Sequence, residues 1–144
     1  MASVFPLHVS PDELNKLTHG NMGEWVGIRF EEVAEDFISA SMPVDHRTKQ
    51  PYGVLHGGAS VVLAETVASV AANVVLPEGE NLYAVGLEIN ANHIKSVAGG
   101  RILATCKPLQ LGLKFSVWEI RITNEAGALT CICRMTAAIL SRKK

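Results

Sequence analysis

From Gly57 to Leu76 the chain carries a single charged residue, Glu65, and this stretch constrains the fold more than any other. It is about as long as a membrane span. Ser60, Glu65, Ser69 and Asn73 interrupt its apolar character, however, and the large residues Leu63, Val67, Val70 and Val74 fall on one side of a helical projection. A helix buried against a protein surface fits that pattern better than one bathed in lipid. The segment therefore reads as the core helix of a globular chain, ended by Pro77-Glu78-Gly79.

The residues around that helix alternate as strands do. Trp25–Val33 and Phe37–Val44 precede it, and in the second of these Phe37, Ser39 and Ser41 alternate with Ile38, Ala40 and Met42. Four strands are expected after it, near Tyr83–Asn92, Gly100–Pro108, Lys114–Asn124 and Ala128–Leu140. Gly99-Gly100 and Glu125-Ala126-Gly127 supply turns, the latter a hairpin between two long strands. Ser10-Pro11-Asp12-Glu13 opens a short N-terminal helix with a capping box, and Gly20 closes it. The expected class is α+β, with one antiparallel sheet wrapped around one long central helix. The 144 residues suit a single domain spanning 1–144.

Charge narrows the partners. Thirteen basic and fourteen acidic residues leave a net charge of -1, too little field to gather nucleic acid or anionic lipid. The basic Arg142-Lys143-Lys144 end reads as a solvated terminus. Met1-Ala2-Ser3-Val4-Phe5-Pro6 lacks the basic start and apolar run of a signal peptide, so a cytoplasmic location and no membrane partner are expected. Cys106, Cys131 and Cys133 form no C-x-x-C pair. Two cysteines on one strand face make no zinc site, so buried, reduced thiols and no metal are expected.

Glu65 has unusual neighbours. A solvated helix face is normally rich in Lys, Arg and several Glu. Here the acid is flanked by Gly58, Val61, Val62, Ala68, Ser69 and Ala72, mostly small, with Ser69 and Asn73 continuing a narrow polar stripe. Small residues around one acid suggest close approach of a ligand, a second subunit, or both. Upstream, Gln50 precedes His56-Gly57-Gly58 at the helix start. Backbone N–H groups there, helped by the helix dipole, can hold a developing oxyanion, and His56 and Gln50 can orient a carbonyl. His56/Gly57 and Glu65 lie eight or nine residues apart, which is ~12–13.5 Å along a helix. One reacting carbon cannot touch both within one chain, so acting together they must come from two chains of a two-fold dimer.

Met42-Pro43-Val44-Asp45, Arg47-Thr48-Lys49-Gln50-Pro51, Leu55-His56-Gly57-Gly58-Ala59-Ser60-Val61-Val62-Leu63-Ala64-Glu65, Val85-Gly86-Leu87-Glu88-Ile89-Asn90-Ala91-Asn92-His93, Leu111-Gly112 and Val117-Trp118 together resemble the hotdog-fold acyl-CoA thioesterases. The similarity is to the branch of the 1,4-dihydroxy-2-naphthoyl-CoA thioesterases and the proofreading thioesterases of enterobactin synthesis. The resemblance implies a hotdog fold, assembly as a homotetramer of paired dimers with shared active sites, and no cofactor. It implies hydrolysis of an acyl-CoA, with an aromatic acyl group favoured. Glu65 would serve as general base or nucleophile, Gly57 would polarise the thioester carbonyl, and Gln50, His56 and Ser69 would assist. Coenzyme A would be met by Gly86, by His93, Ile94, Lys95 and Ser96, and by Gln110, Leu111, Gly112, Leu113, Lys114 and Phe115. Lys95 and Lys114 suit phosphate by charge. Leu113 and Phe115 depart from a more polar family pattern. Alternatives are an aryl thioesterase acting on a carrier protein, a hotdog dehydratase or hydratase, and a non-catalytic acyl-CoA-binding domain.

Overall fold

The computed structural model describes residues 3–6 and 8–143. Met1, Ala2 and Lys144, on which the readings of the two termini partly rest, lie outside the described residues. The elements in chain order are α1 (Pro11–Lys16), α2 (Met22–Trp25), β1 (Arg29–Val33), β2 (Ile38–Pro43), α3 (Gly57–Val74), β3 (Leu82–His93), β4 (Arg101–Leu111), β5 (Phe115–Thr123) and β6 (Leu129–Ser141). The six strands form one antiparallel sheet in the order β1-β2-β4-β5-β6-β3. It curls around α3, which contacts β2 to β6. One sheet wrapped around one apolar helix is what the alternating strands predict, and it is the hotdog arrangement that the family resemblance implies.

The face that α3 buries is narrower than its large residues suggest. Ser60, Leu63, Ala64, Val67, Ala68, Ala71 and Ala72 are the buried positions. Val70 and Val74, expected on the sheet side, are only half-buried. Ala64, Ala68, Ala71 and Ala72 fill the buried face around Leu63 and Val67, and the two valines lie at its margin. Ala68 and Ala72, expected to surround Glu65 on the open side, are part of this core. The opposite wall of the core is Ile102, Trp118, Ile120, Ile122 and Met135, all fully buried. Phe5, from the N-terminal segment, closes it at 6.2 Å ring-to-ring from Trp118.

Several boundaries move for local reasons. Trp25 ends α2 instead of opening a strand, because the Asn21 side chain accepts from Gly23 N–H and caps a helical turn. Gly27 then turns the chain at φ +76°, so β1 begins only at Arg29. All six residues of β2 are buried between β1 and β4, and on the outer face Arg101 donates to the Ser41 hydroxyl at 2.8 Å. β4 continues through Pro108, which pairs with Trp118, to Leu111 by way of a bulge at Leu109. The capping box of α1 is formed, with Ser10 accepting from Glu13 N–H and its own N–H donating to the Glu13 carboxylate. The three cysteines are buried free thiols, with Cys131 and Cys133 Sγ 3.6 Å apart on one face of β6. Burial raises the Cys106 thiol well above its usual range. No group of three or more metal-ligating side chains occurs among the described residues.

β3 runs twelve residues along an open sheet edge with Val85 and Leu87 exposed. A long apolar edge strand invites pairing by another strand.

Candidate active site

The loop entering α3 is built to hold still. Asp45 accepts from Arg47 N–H at 2.9 Å and from its guanidinium at 2.7 Å, which holds the carboxyl well below its usual range, at about 2. Thr48 is buried and donates to Pro43 O at 2.7 Å. His56 N–H then bonds Thr48 O, and Leu55 N–H bonds Val97 O, so the helix start is tied to two separate segments. Between them Gln50-Pro51-Tyr52-Gly53 makes a tight turn closed by Gly53 N–H on Gln50 O. The Gln50 side-chain oxygen accepts from Tyr52 N–H. A backbone donor thus fixes which end of the amide faces inward, and the Gln50 NH₂ is left for another acceptor.

The first turn of α3 satisfies its donors unevenly. The His56 ring Nδ1 accepts from Gly58 N–H at 2.8 Å, which leaves the ring hydrogen on Nε2. Ala59 and Ser60 N–H both bond His56 O. Gly57 N–H has no partner among the described residues. It stands at the positive end of an eighteen-residue helix, where an anionic oxygen is stabilised. A cavity of about 300 Å³ opens here, walled by Gln50, Gly57, Ser60, Thr130 and the segment from His93 to Val97. A β-carbon on Gly57 would stand 2.8 Å from His93 Nε2, so the glycine is what admits the His93 ring.

Of the expected residues, Gln50, Gly57, His93, Ile94, Lys95 and Ser96 therefore meet in one cavity. His56 caps the helix beside it without lining it. Glu65 lies elsewhere, exposed, with its carboxylate against β3. A β-carbon on Gly86 would come within 2.5 Å of Glu65 Oε1, so Gly86 leaves the space the acid occupies. The pairing is held by Asn73, which donates to Ala84 O and accepts from Ala84 N–H, both at 2.9 Å. Asn73, expected in the polar stripe, is thus a clamp of strand on helix. Ser69 sits one turn from Glu65 in a groove with Leu17, Val70, Asn73 and Val74. The β4–β5 turn lies apart from both. Leu111, Gly112 and Leu113 border an apolar pocket of about 330 Å³ at the far end of α3, with Leu113 at the surface.

Two features escaped the sequence reading. Ser60 and Thr130 wall the cavity, and Leu17, Val70 and Val74 make the groove next to Ser69. Ser60 was legible in principle, since it follows Gly57 by three residues and shares its side of the helix. Leu17 was not, because α1 has no sequence signal for docking there.

Comparison with known proteins decides what this arrangement belongs to. The Thioesterase superfamily description matches residues 52–131, which include the helix start, Glu65 and the β3 edge. The chain belongs to the Thioesterase superfamily. The thioesterase is 52% identical over 132 residues to the 1,4-dihydroxy-2-naphthoyl-CoA hydrolase of Escherichia coli, covering 92% of this chain and 96% of the relative. It is 41% identical over 137 residues to the proofreading thioesterase EntH of Cronobacter sakazakii, covering 95% and 98%. A crystal structure of a thioesterase from Haemophilus influenzae superposes with a TM-score of 0.91 at 41% identity, over 96% of this chain and 95% of that one. A glutamine-to-alanine variant of a Pseudomonas aeruginosa thioesterase superposes at 0.93 and 40% identity, over 97% and 100%. The protein is an enzyme, a hotdog-fold thioester hydrolase.

Proposed function

We propose that this thioesterase hydrolyses aromatic acyl-CoA to the free acid and coenzyme A, at sites each shared by two copies of the chain. The observation that carries the reading is the free Gly57 N–H at the head of α3, opening on a cavity with Gln50. A thioester oxygen placed there gains a backbone donor and the helix dipole as negative charge develops. Glu65 acts on the carbonyl carbon from the other side. As general base it takes a proton from water while the hydroxyl adds to carbon. Collapse of the adduct breaks the C–S bond, and the departing thiolate takes up a proton. As nucleophile its carboxylate adds instead, the adduct expels the thiolate with cleavage of the C–S bond, and water then hydrolyses the resulting anhydride to the acid and free Glu65. Both routes require the same two groups on one carbon.

Within one chain these groups are eight residues of helix apart. The edge strand supplies a way to join them. Its Gly86 end touches Glu65 and its His93 end touches Gly57. Antiparallel pairing of two β3 edges centred between Ile89 and Asn90 sets Gly86 opposite His93 of the partner subunit. Glu65 then faces Gly57 of the partner subunit, twice per dimer. Further pairing of such dimers into a tetramer follows the family resemblance.

The groove of Leu17, Ser69, Val70 and Val74 beside Glu65 suits a planar apolar acyl group, with Ser69 positioning water or an acyl substituent. Lys95 and Ser96 at the cavity mouth, with Ile94, suit the coenzyme A arm and its phosphates. The β4–β5 turn from Gln110 to Phe115, with Lys114, would reach the nucleotide from a neighbouring copy. The whole chain acts as one domain and, given that substrate, in the cytoplasm. No cofactor or metal enters the chemistry proposed.

Thiol release from benzoyl-, naphthoyl- and long-chain fatty acyl-CoA tests the reading. Aromatic substrates are expected to lead by at least about tenfold in kcat/KM, the order of effect one well-shaped apolar pocket provides. Fatty acyl preference would overturn the aromatic assignment, and no release from any would overturn the function. The same aryl group on a carrier protein distinguishes the two donors that share a pantetheine arm.

Gly86 offers a second check. Its φ is not in the left-handed region, so alanine suits the backbone, yet the added carbon would displace the Glu65 carboxylate. Gly86→Ala is expected to lower kcat about 10–100-fold, since displacements near 1 Å have that effect, with the thermal midpoint little changed. Unaltered kcat would dissociate Glu65 from the chemistry.

A further inference from the structure

Ser60 is 3% exposed, and its hydroxyl makes no hydrogen bond among the described residues. A serine inside a helix ordinarily settles its hydroxyl on the carbonyl four residues back. Thr66, two turns along the same helix, does so at 2.6 Å to Val62 O. Among the described residues no side-chain oxygen or nitrogen is sealed from solvent without a partner, so the small surface Ser60 keeps includes its oxygen. That surface opens on the cavity Ser60 shares with Gly57 and Gln50. A nearly buried hydroxyl held free at the wall of a cavity is kept for whatever fills it.

Its position says which part of a substrate it meets. Ser60 lies three residues beyond Gly57 on the same side of α3, about 4.5 Å further along the axis. The thioester oxygen already has the Gly57 N–H, which leaves the Ser60 hydroxyl for a different polar group of the substrate. Along a pantetheine thioester, the next polar group after the sulfur is an amide, two methylene groups on. Resting on the reading of the site as one for pantetheine thioesters, we propose that the Ser60 hydroxyl binds that first amide of the thiol arm. The cavity wall opposite, from His93 to Val97, confines the arm to this side. Ser60 would then select the thiol half of the substrate independently of the acyl half.

The test separates amide recognition from any general effect on the helix. Benzoyl N-acetylcysteamine thioester carries the amide, and benzoyl S-pentyl thioester has the same chain length without it. Wild type and Ser60→Ala are compared on both. Ser60→Ala is expected to lose about tenfold in kcat/KM on the amide-bearing substrate, the size of one neutral hydrogen bond, and less than twofold on the pentyl ester. Ser60→Cys, nearly isosteric, replaces the alanine variant if that one does not fold. Equal losses on both esters, or no loss on the amide-bearing one, would overturn the assignment while leaving the hydrolase intact. A wild-type enzyme inactive on every thioester would remove the reading beneath it, and the assignment with it.

Discussion

Glu65→Gln is expected to lower thioester turnover by a factor of about 10²–10⁴, the range general base catalysis supplies. The substitution keeps the size of the side chain and removes only its ability to take a proton or attack carbon. Glu65 is exposed in the single chain. Its replacement should therefore change stability by no more than about 0.5 kcal/mol, as at other exposed positions. Matched unfolding curves beside a collapsed kcat would place the loss in the chemistry. Label found in Glu65 after a single turnover of wild type in ¹⁸O-water would establish the nucleophilic role, because water must then have attacked the Glu65 carboxyl carbon of an anhydride. Retention of more than about a tenth of wild-type kcat by Glu65→Gln would refute both roles.

The architecture was readable because the two periodicities do not overlap. Only Gly57–Leu76 combines helical spacing with near absence of charge, and the remaining apolar residues alternate. One helix and one sheet can hide those faces in few ways. The errors fell where tertiary contact overrides pattern. Val70 and Val74 look like core in projection, but Ala71 and Ala72 join Leu63 and Val67 on the buried face, and the two valines turn to a groove with Leu17. Trp25 scores as a strand residue, yet Asn21 and Gly27 around it enforce a helical turn.

The site was legible in part for the same reason. Gln50, Gly57 and Glu65 are chemically conspicuous, and their spacing already separated them into two centres. The role of Asn73 depended on a long-range pair of backbone bonds to Ala84, which no local signal announces. His93 and Gly57 are neighbours only because β3 runs antiparallel along α3, bringing its far end to the helix start. Ser60 looked like one more small polar residue in a helix. Its lack of an internal partner emerges only when every other hydrogen bond is accounted for.

A mixture of two inactive variants should recover activity, and this is the largest effect the shared site predicts. Glu65→Gln removes the carboxylate and leaves the helix start intact. Gly57→Val does the reverse, since a side chain there collides with the His93 ring, a β-carbon alone standing 2.8 Å from Nε2. Co-expression with two different tags and tandem purification yields only mixed dimers. In each, one site inherits both defects and the other inherits neither, so pure mixed dimers should show about half of wild-type activity. Random pairing without selection should show about a quarter. Either parent alone should stay near background, a gain of roughly tenfold or more for the mixture given losses near 10²-fold in each. If both groups instead served one carbonyl within a single chain, every site would keep one defect and mixed dimers would be as inactive as their parents. The outcome tests how two groups separated by eight residues of helix reach one thioester, which the proposed β3 pairing would achieve without bending α3.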